Sequence, residues 1–214
     1  AICLHMFSNF AYFQASGKPS HNGSCGSIYN HFDNSKYDEK LFSFPEVLMN
    51  LESKPSGTKP TGKSSPKKGK STSGGEKALK TIKEIYKMAT NTPPNDSYNG
   101  VKIKNILADV RSYSDYKDGI DGYHLVECNF YCFDKKEKTI IMNFPFLPNN
   151  KYYLRLCFKD EDLFKKEYSR FYDTGHTGII VISGLWEKKD EEYRTKTIKA
   201  ECTIKSEKQI AIIK

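Results

Sequence analysis

Tyr123-His-Leu-Val-Glu-Cys-Asn-Phe-Tyr-Cys-Phe133 decides how this chain reads. In an extended strand, successive side chains point to opposite faces. Val126, Cys128, Phe130 and Cys132 then share one face, and Tyr123, Leu125, Glu127, Asn129, Tyr131 and Phe133 share the other. One face is apolar and suits a core. The other mixes aromatic rings with polar groups.

Downstream, the same period of two predicts strands over residues 139–146 and 152–159. These two segments also read as one long strand bent at 148–150. Asp160 then caps a helix running to Tyr172, with Phe164, Tyr168 and Phe171 on one side. Strand patterning returns over 178–187 and 194–205. In the latter, Ile198, Ala200, Cys202 and Ile204 face inward, and Lys199, Glu201 and Thr203 outward. Residues 210–213 form a last apolar piece that pairs at an edge. Upstream, 101–111 predicts a first strand. Residues 76–89 predict a helix with Leu79, Ile82, Tyr86 and Ala89 on one face, ended by the Pro- and Asn-rich run 91–100.

The expected class is therefore α+β, mainly β. Several strands, one helix and then two or three strands make an order that resembles a five-stranded Greek-key barrel of the oligonucleotide/oligosaccharide-binding (OB) type. The resemblance rests on strand order and alternation alone.

Charge divides the chain. Residues 1–53 hold three lysines against five acids, residues 54–100 ten lysines against three acids, and residues 101–214 21 basic against 18 acidic residues. Most of the +8 net charge thus lies in the middle. Residues 54–75, rich in Lys, Pro, Gly and Ser, contain no aliphatic or aromatic side chain. Such a segment cannot bury enough surface to offset chain entropy, so it is expected to be a disordered basic linker. The predicted organisation is an aromatic N-terminal appendage over 1–53, the linker over 54–75, and a β-rich domain with a leading helix over 76–214. Within the appendage, residues 44–51 predict a short helix, with Pro45 in its first turn and Val47, Leu48 and Leu51 on one stripe.

No apolar run approaches the roughly 20 residues that span a bilayer, so no transmembrane helix is expected. The small residues Ala15, Ser16 and Gly17 behind an apolar opening match the end of a signal peptide. However, a basic leading region is lacking, and Phe10, Tyr12 and Phe13 suit a packed strand better. Six cysteines and the sequons at Asn22 and Asn95 fit a secreted protein with three disulfides. Reduced, half-buried thiols fit equally well, so intracellular and secreted locations stay level.

Function is read from 14 Tyr, 13 Phe and one Trp beside cations. Aromatic rings stack nucleobases while Lys and Arg hold phosphates. The first expectation is a non-enzymatic binding module for single-stranded nucleic acid or an acidic protein surface. Its ligand-binding residues would be Tyr123, Tyr131, Phe133, Lys102, Lys104, Lys135, Lys136 and Arg155. The competing structural reading buries both faces of the 123–133 strand. A second expectation is a secreted or envelope-associated domain that binds a protein or glycan. A third is a cysteine hydrolase using Cys25, in Gly23-Ser-Cys-Gly-Ser27, and His176. His21, Cys25 and His31, with Cys3 and His5, have zinc-ligand chemistry but not the spacing of a zinc knuckle. No metal or cofactor is assigned, and no phosphate-binding glycine loop or Gly-x-Ser-x-Gly elbow is present.

Overall fold

The computed structural model describes residues 32–53, 77–146 and 150–213, together with the backbone of two N-terminal strands. The chain divides into two compact units, Ala1–Phe32 and Asp33–Lys214. In the first, β1 (Ile2–Phe7) and β2 (Phe10–Ala15) pair antiparallel, with Ile2 opposite Ala15 and Phe7 opposite Phe10. The linker predicted at 54–75 lies outside the described residues.

The second unit opens with α1 (Phe44–Glu52) and α2 (Ile82–Thr90). Short elements follow: β3 (Ser97–Tyr98), β4 (Val101–Lys102), the single helical turn α3 (Ile103–Ile106), β5 (Leu107–Ala108) and α4 (Tyr113–Tyr116). The long elements are β6 (Gly122–Asp134), β7 (Thr139–Phe144), β8 (Tyr152–Phe158), α5 (Glu161–Thr174), β9 (Ile179–Tyr193), β10 (Lys196–Ile204) and β11 (Ile210–Ile213). The unit is α+β with mostly strands, and no helix is long and apolar enough to cross a membrane among the described residues.

Seven strands form one mixed sheet in the order β11-β9-β10-β8-β7-β6-β5. Only β5–β6 and β8–β10 are parallel. The 15-residue β9 changes partners along its length. Residues 186–193 pair with β10, while residues 180–186 pair with β6 and 179–182 with β11. Pairings therefore run β6–β7–β8–β10–β9 and return to β6. Val126, Cys128, Phe130, Ile140, Met142, Leu154, Leu156, Ile182, Trp186 and Cys202 converge in one buried cluster, against which α5 places Phe164 and Phe171. Each such large side chain contributes about 1.5–3 kcal/mol by leaving water.

Local chemistry explains the element boundaries. Asp160 starts α5 by accepting hydrogen bonds from the Asp162 and Leu163 amides, as its sequence predicts. The helix expected from residue 76 starts only at Ile82, because Thr81 and Glu84 form a reciprocal capping box there. Burial would raise the Glu84 carboxyl, but Lys77, the Lys80 and Thr81 amides and the Thr81 hydroxyl outweigh it and bring it down to about 2. The strand expected at 101–111 is broken. Ile103 and Ile106 bury themselves at helical spacing, and Asp109 and Ser112 cap each other in a tight turn. That turn aims Arg111 at the carbonyls of Ala89, Thr90 and Thr92, at and just beyond the C-terminal end of α2. Segments β7 and β8 are not one bent strand. They pair antiparallel, with Thr139 opposite Cys157.

A buried acid joins α2 to the sheet. The Tyr86 hydroxyl donates a 2.6 Å hydrogen bond to Glu127 Oε2. Burial, opposed by that hydrogen bond, raises the Glu127 carboxyl above its ordinary 4.5. A raised acid binds its proton more tightly when folded. Its contribution to stability is full below the unfolded value and is lost as pH rises through the folded value. Glu127→Gln keeps an acceptor for Tyr86 without the charge. Thermal unfolding should show this variant more stable than wild type at pH 8, with the two converging near pH 4. Equal melting temperatures at pH 8 would show that Glu127 carries no such penalty.

Candidate ligand-binding face

Two irregularities in the sheet build one surface. In β6, Phe130 pairs with Met142 but Cys132 with Ile141, so Tyr131 is an extra residue in a β-bulge. In β10, Ile198 pairs with Tyr153 but Ala200 with Leu154, so Lys199 is extra relative to β8. Bulges re-aim side chains and concentrate near functional sites. Here they turn Cys132 and Ile198 to the side of the sheet opposite the main core, where Tyr131 points by regular alternation. There Ile141, Tyr153 and Ile198 form a small buried floor, with Tyr131, Cys132 and Tyr193 packed around it.

The rings on this floor are ordered. Tyr131 stacks on Tyr153 with centroids 4.6 Å apart and planes 20° apart. Tyr193 meets Tyr153 edge-on at 6.0 Å. The Tyr153 hydroxyl lies 3.1 Å from Thr195 Oγ1, and Cys132 Sγ lies 3.7 Å from the Tyr193 hydroxyl. Tyr193 pairs with Lys196, which leaves Arg194-Thr195 as a two-residue turn. Arg194 holds φ at +53°, a left-handed conformation seldom adopted outside glycine. From there its guanidinium stands 5.4 Å from the Tyr193 centroid and 5.8 Å from that of Tyr131. Lys196 Nζ lies 5.2 Å over Tyr153 and donates to Asn150 Oδ1 at 3.1 Å.

The Tyr153 hydroxyl and then Arg194 hold the Tyr131 phenol below its ordinary value. Burial lowers the Lys196 ammonium. Among the described residues, neither Arg194 nor Lys196 has a carboxylate partner. A groove of about 510 Å³ continues the face past Tyr193, lined by Arg155, Asp134, Glu137 and Glu191. Arg155 is bound there to Glu191, with Glu201 3.6 Å away.

The residues expected to bind ligand are spread more widely than their sequence pattern implies. Tyr131 is central to the face. Phe133, expected beside it, is turned by the bulge to the core side, where it meets Tyr168 at 4.1 Å. Lys135 covers that pair, 5.7 Å from Phe133 and 5.8 Å from Tyr168, and Lys136 is exposed in the β6–β7 turn. Cys132, expected inward, joins the tyrosine face, and so does Ile198. Tyr123 lies opposite Leu185, eight residues and roughly 26 Å of strand away from Tyr131. Lys102 is exposed in β4, and Lys104 pairs with Asp115 at 3.0 Å near the start of β6. Arg155 borders the face but is neutralised. Tyr153, Tyr193, Arg194 and Lys196 were missed. An aromatic-cation hairpin tip, Tyr193-Arg-Thr-Lys196, was the available signal.

His176 sits in the α5–β9 loop with its ring stacked on Phe130 at 5.5 Å and Nδ1 3.1 Å from the Phe130 carbonyl. Cys25 and the other His and Cys residues of the N-terminal stretch lie outside the described residues. Cys128, Cys132, Cys157 and Cys202 are free thiols. Comparison with protein-family models, with curated proteins and with solved structures gives no match.

Tyr153 is 2% exposed, whereas Tyr131 is half-buried above it. Tyr153→Ala should cost about 3 kcal/mol or more and Tyr131→Ala about 1 kcal/mol, read from urea unfolding. Equal losses would make Tyr131 part of the scaffold instead of an accessible surface.

Proposed function

We propose that the β6–β7–β8–β10–β9 cycle is a five-stranded Greek-key barrel of the OB type and that its tyrosine face binds single-stranded nucleic acid without catalysing a reaction. The supporting features are the pairing cycle, α5 between β8 and β9, the third and fourth of its strands in chain order, and the position of the face. In such barrels, ligands lie on the second and third strands and on the first and last hairpin loops. Here these correspond to β7, β8, the 135–138 turn and Arg194-Thr195. The observation that carries the reading is Arg194, a strained and carboxylate-free cation held over two tyrosine rings.

Bases would stack on Tyr131 and Tyr193, while Arg194 and Lys196 meet phosphates there and Lys135 and Lys136, beside Tyr168 on the other side of β6, meet them farther along the strand. Stacking contributes about 1–3 kcal/mol per base. The six lysines of residues 54–75 would add attraction with no sequence preference. A second reading is favoured by Asp134, Glu137 and Glu191 in the adjoining groove. These carboxylates repel phosphate and accept sugar hydroxyls, so a glycan would suit the same face.

Fluorescence anisotropy with labelled 12-nucleotide oligo(dT) and oligo(rU), between 50 and 300 mM salt, tests the first reading. Three to four neutralised phosphates give a log–log slope of about −2 to −3. Tyr131→Ala should weaken binding about tenfold or more, and Arg194→Ala should flatten the slope by about 0.7. No binding at 50 mM salt would end the nucleic-acid reading, and salt-independent binding of an oligosaccharide would replace it with the glycan reading.

A further inference from the structure

A second surface lies away from the tyrosine face. The strand β11 ends the seven-stranded sheet, and among the described residues it pairs only with β9. A groove of about 930 Å³ runs along it, between the first turn of α2 and the last turns of α5. Its floor includes Leu51, Ile82 and Ile212. Its rim carries Lys80, Lys83 and Lys208. All three lysines are exposed, and among the described residues none has an ion-pair partner. Arg170 also lines the groove but is bound at 2.6 Å to the buried Glu167. Asp173 is the one carboxylate on the lining.

An unpaired strand edge is a template for another strand, because its outward amides and carbonyls lack ladder partners. The rim then selects which strand is taken. We infer that this groove binds an extended partner segment that alternates apolar and acidic residues and adds to β11 as a further strand. Apolar side chains would sit on the Leu51–Ile82–Ile212 floor, and carboxylates would meet the three lysines.

Charge disfavours two other occupants. A second copy docking edge to edge through β11 would bring two sets of the same lysines together. Residues 54–76 of this chain, with six lysines and one glutamate, would be repelled by the rim. The inference does not depend on the nucleic-acid reading, since the two surfaces share no residue.

Three fluorescein-labelled octapeptides test it by anisotropy against the full chain: alternating Glu and Val, the same peptide N-methylated at every second residue, and alternating Lys and Val. The Glu–Val peptide should bind and should slow amide exchange at Ile210–Ile213. The N-methylated and Lys–Val peptides should bind at least about tenfold more weakly, as should Glu–Val to the triple variant K80E/K83E/K208E. These are surface changes that leave the apolar floor intact, and circular dichroism checks the fold. Tyr131→Ala should leave peptide binding unchanged. The proposal is overturned by no Glu–Val binding, by equal binding of any control, or by Ile210–Ile213 protection that rises with protein concentration in the absence of peptide.

Discussion

The second unit depends on β9 serving three neighbours. Trp186 is the point of exchange, opposite Gly122 of β6 on one side and Cys202 of β10 on the other. Two residues earlier, Gly184 makes the close approach possible. A Cβ there would lie 2.5 Å from Cys202 Sγ and 3.1 Å from Gln209 Nε2, and packed neighbours cannot yield that much without strain. The space left by Gly184 lets Gln209 reach the backbone of β9. Its Nε2 donates to the Ser183 carbonyl at 3.0 Å, and its Oε1 accepts from the Lys205 and Ser206 amides. That amide side chain ties the turn after β10 to β9 and so sets β11 on the sheet edge. The pairing cycle and the edge groove thus share one constraint.

The regular parts of this arrangement were readable because they obey one period for long enough. In β6, the alternation of Val126, Cys128 and Phe130 is the alternation of the core. The reading fails at one residue. A bulge reverses every later face assignment on the strand, which is why Phe133 and Cys132 exchange places. Nothing in Asn129-Phe-Tyr-Cys132 marks the extra residue locally, because it is defined by what β7 presents opposite. Ile198 was reversed in the same way, by the irregularity between β8 and β10. The 101–111 segment failed for a different reason. Its isoleucines satisfy either period over so short a window, and the choice came from tertiary hydrogen bonds, Ile103 N to Asp96 O and Lys104 N to Pro94 O.

The face assembled by these departures has a physical rationale. Regular alternation would have put Cys132 and Ile198 into positions set by the main core. The bulges free both from that demand, and Tyr153 provides the surface on which they pack. The cations follow from the hairpin. A two-residue turn places Arg194 and Lys196 on either side of Thr195, the first over Tyr131 and Tyr193 and the second over Tyr153. Chain order concealed this, since Tyr131, Tyr153 and Tyr193 belong to three different strands and only pairing brings them together.

Net charge says little about where an anion would go. Among the described residues, three cations in or beside the sheet are already paired: Arg155 with Glu191 and Glu201, Lys189 with Glu187 and Glu201, and Lys205 with Glu52. Exposed pairs of this kind contribute little to stability, but they cancel the field a ligand would feel. The cations left without a carboxylate partner then matter more than the total. Arg194 and Lys196 sit over rings, whereas Lys80, Lys83 and Lys208 sit beside an apolar strand edge. A planar, stackable anion suits the first setting and an extended acidic chain the second. It is the neutral surface beneath each set of charges that separates the two.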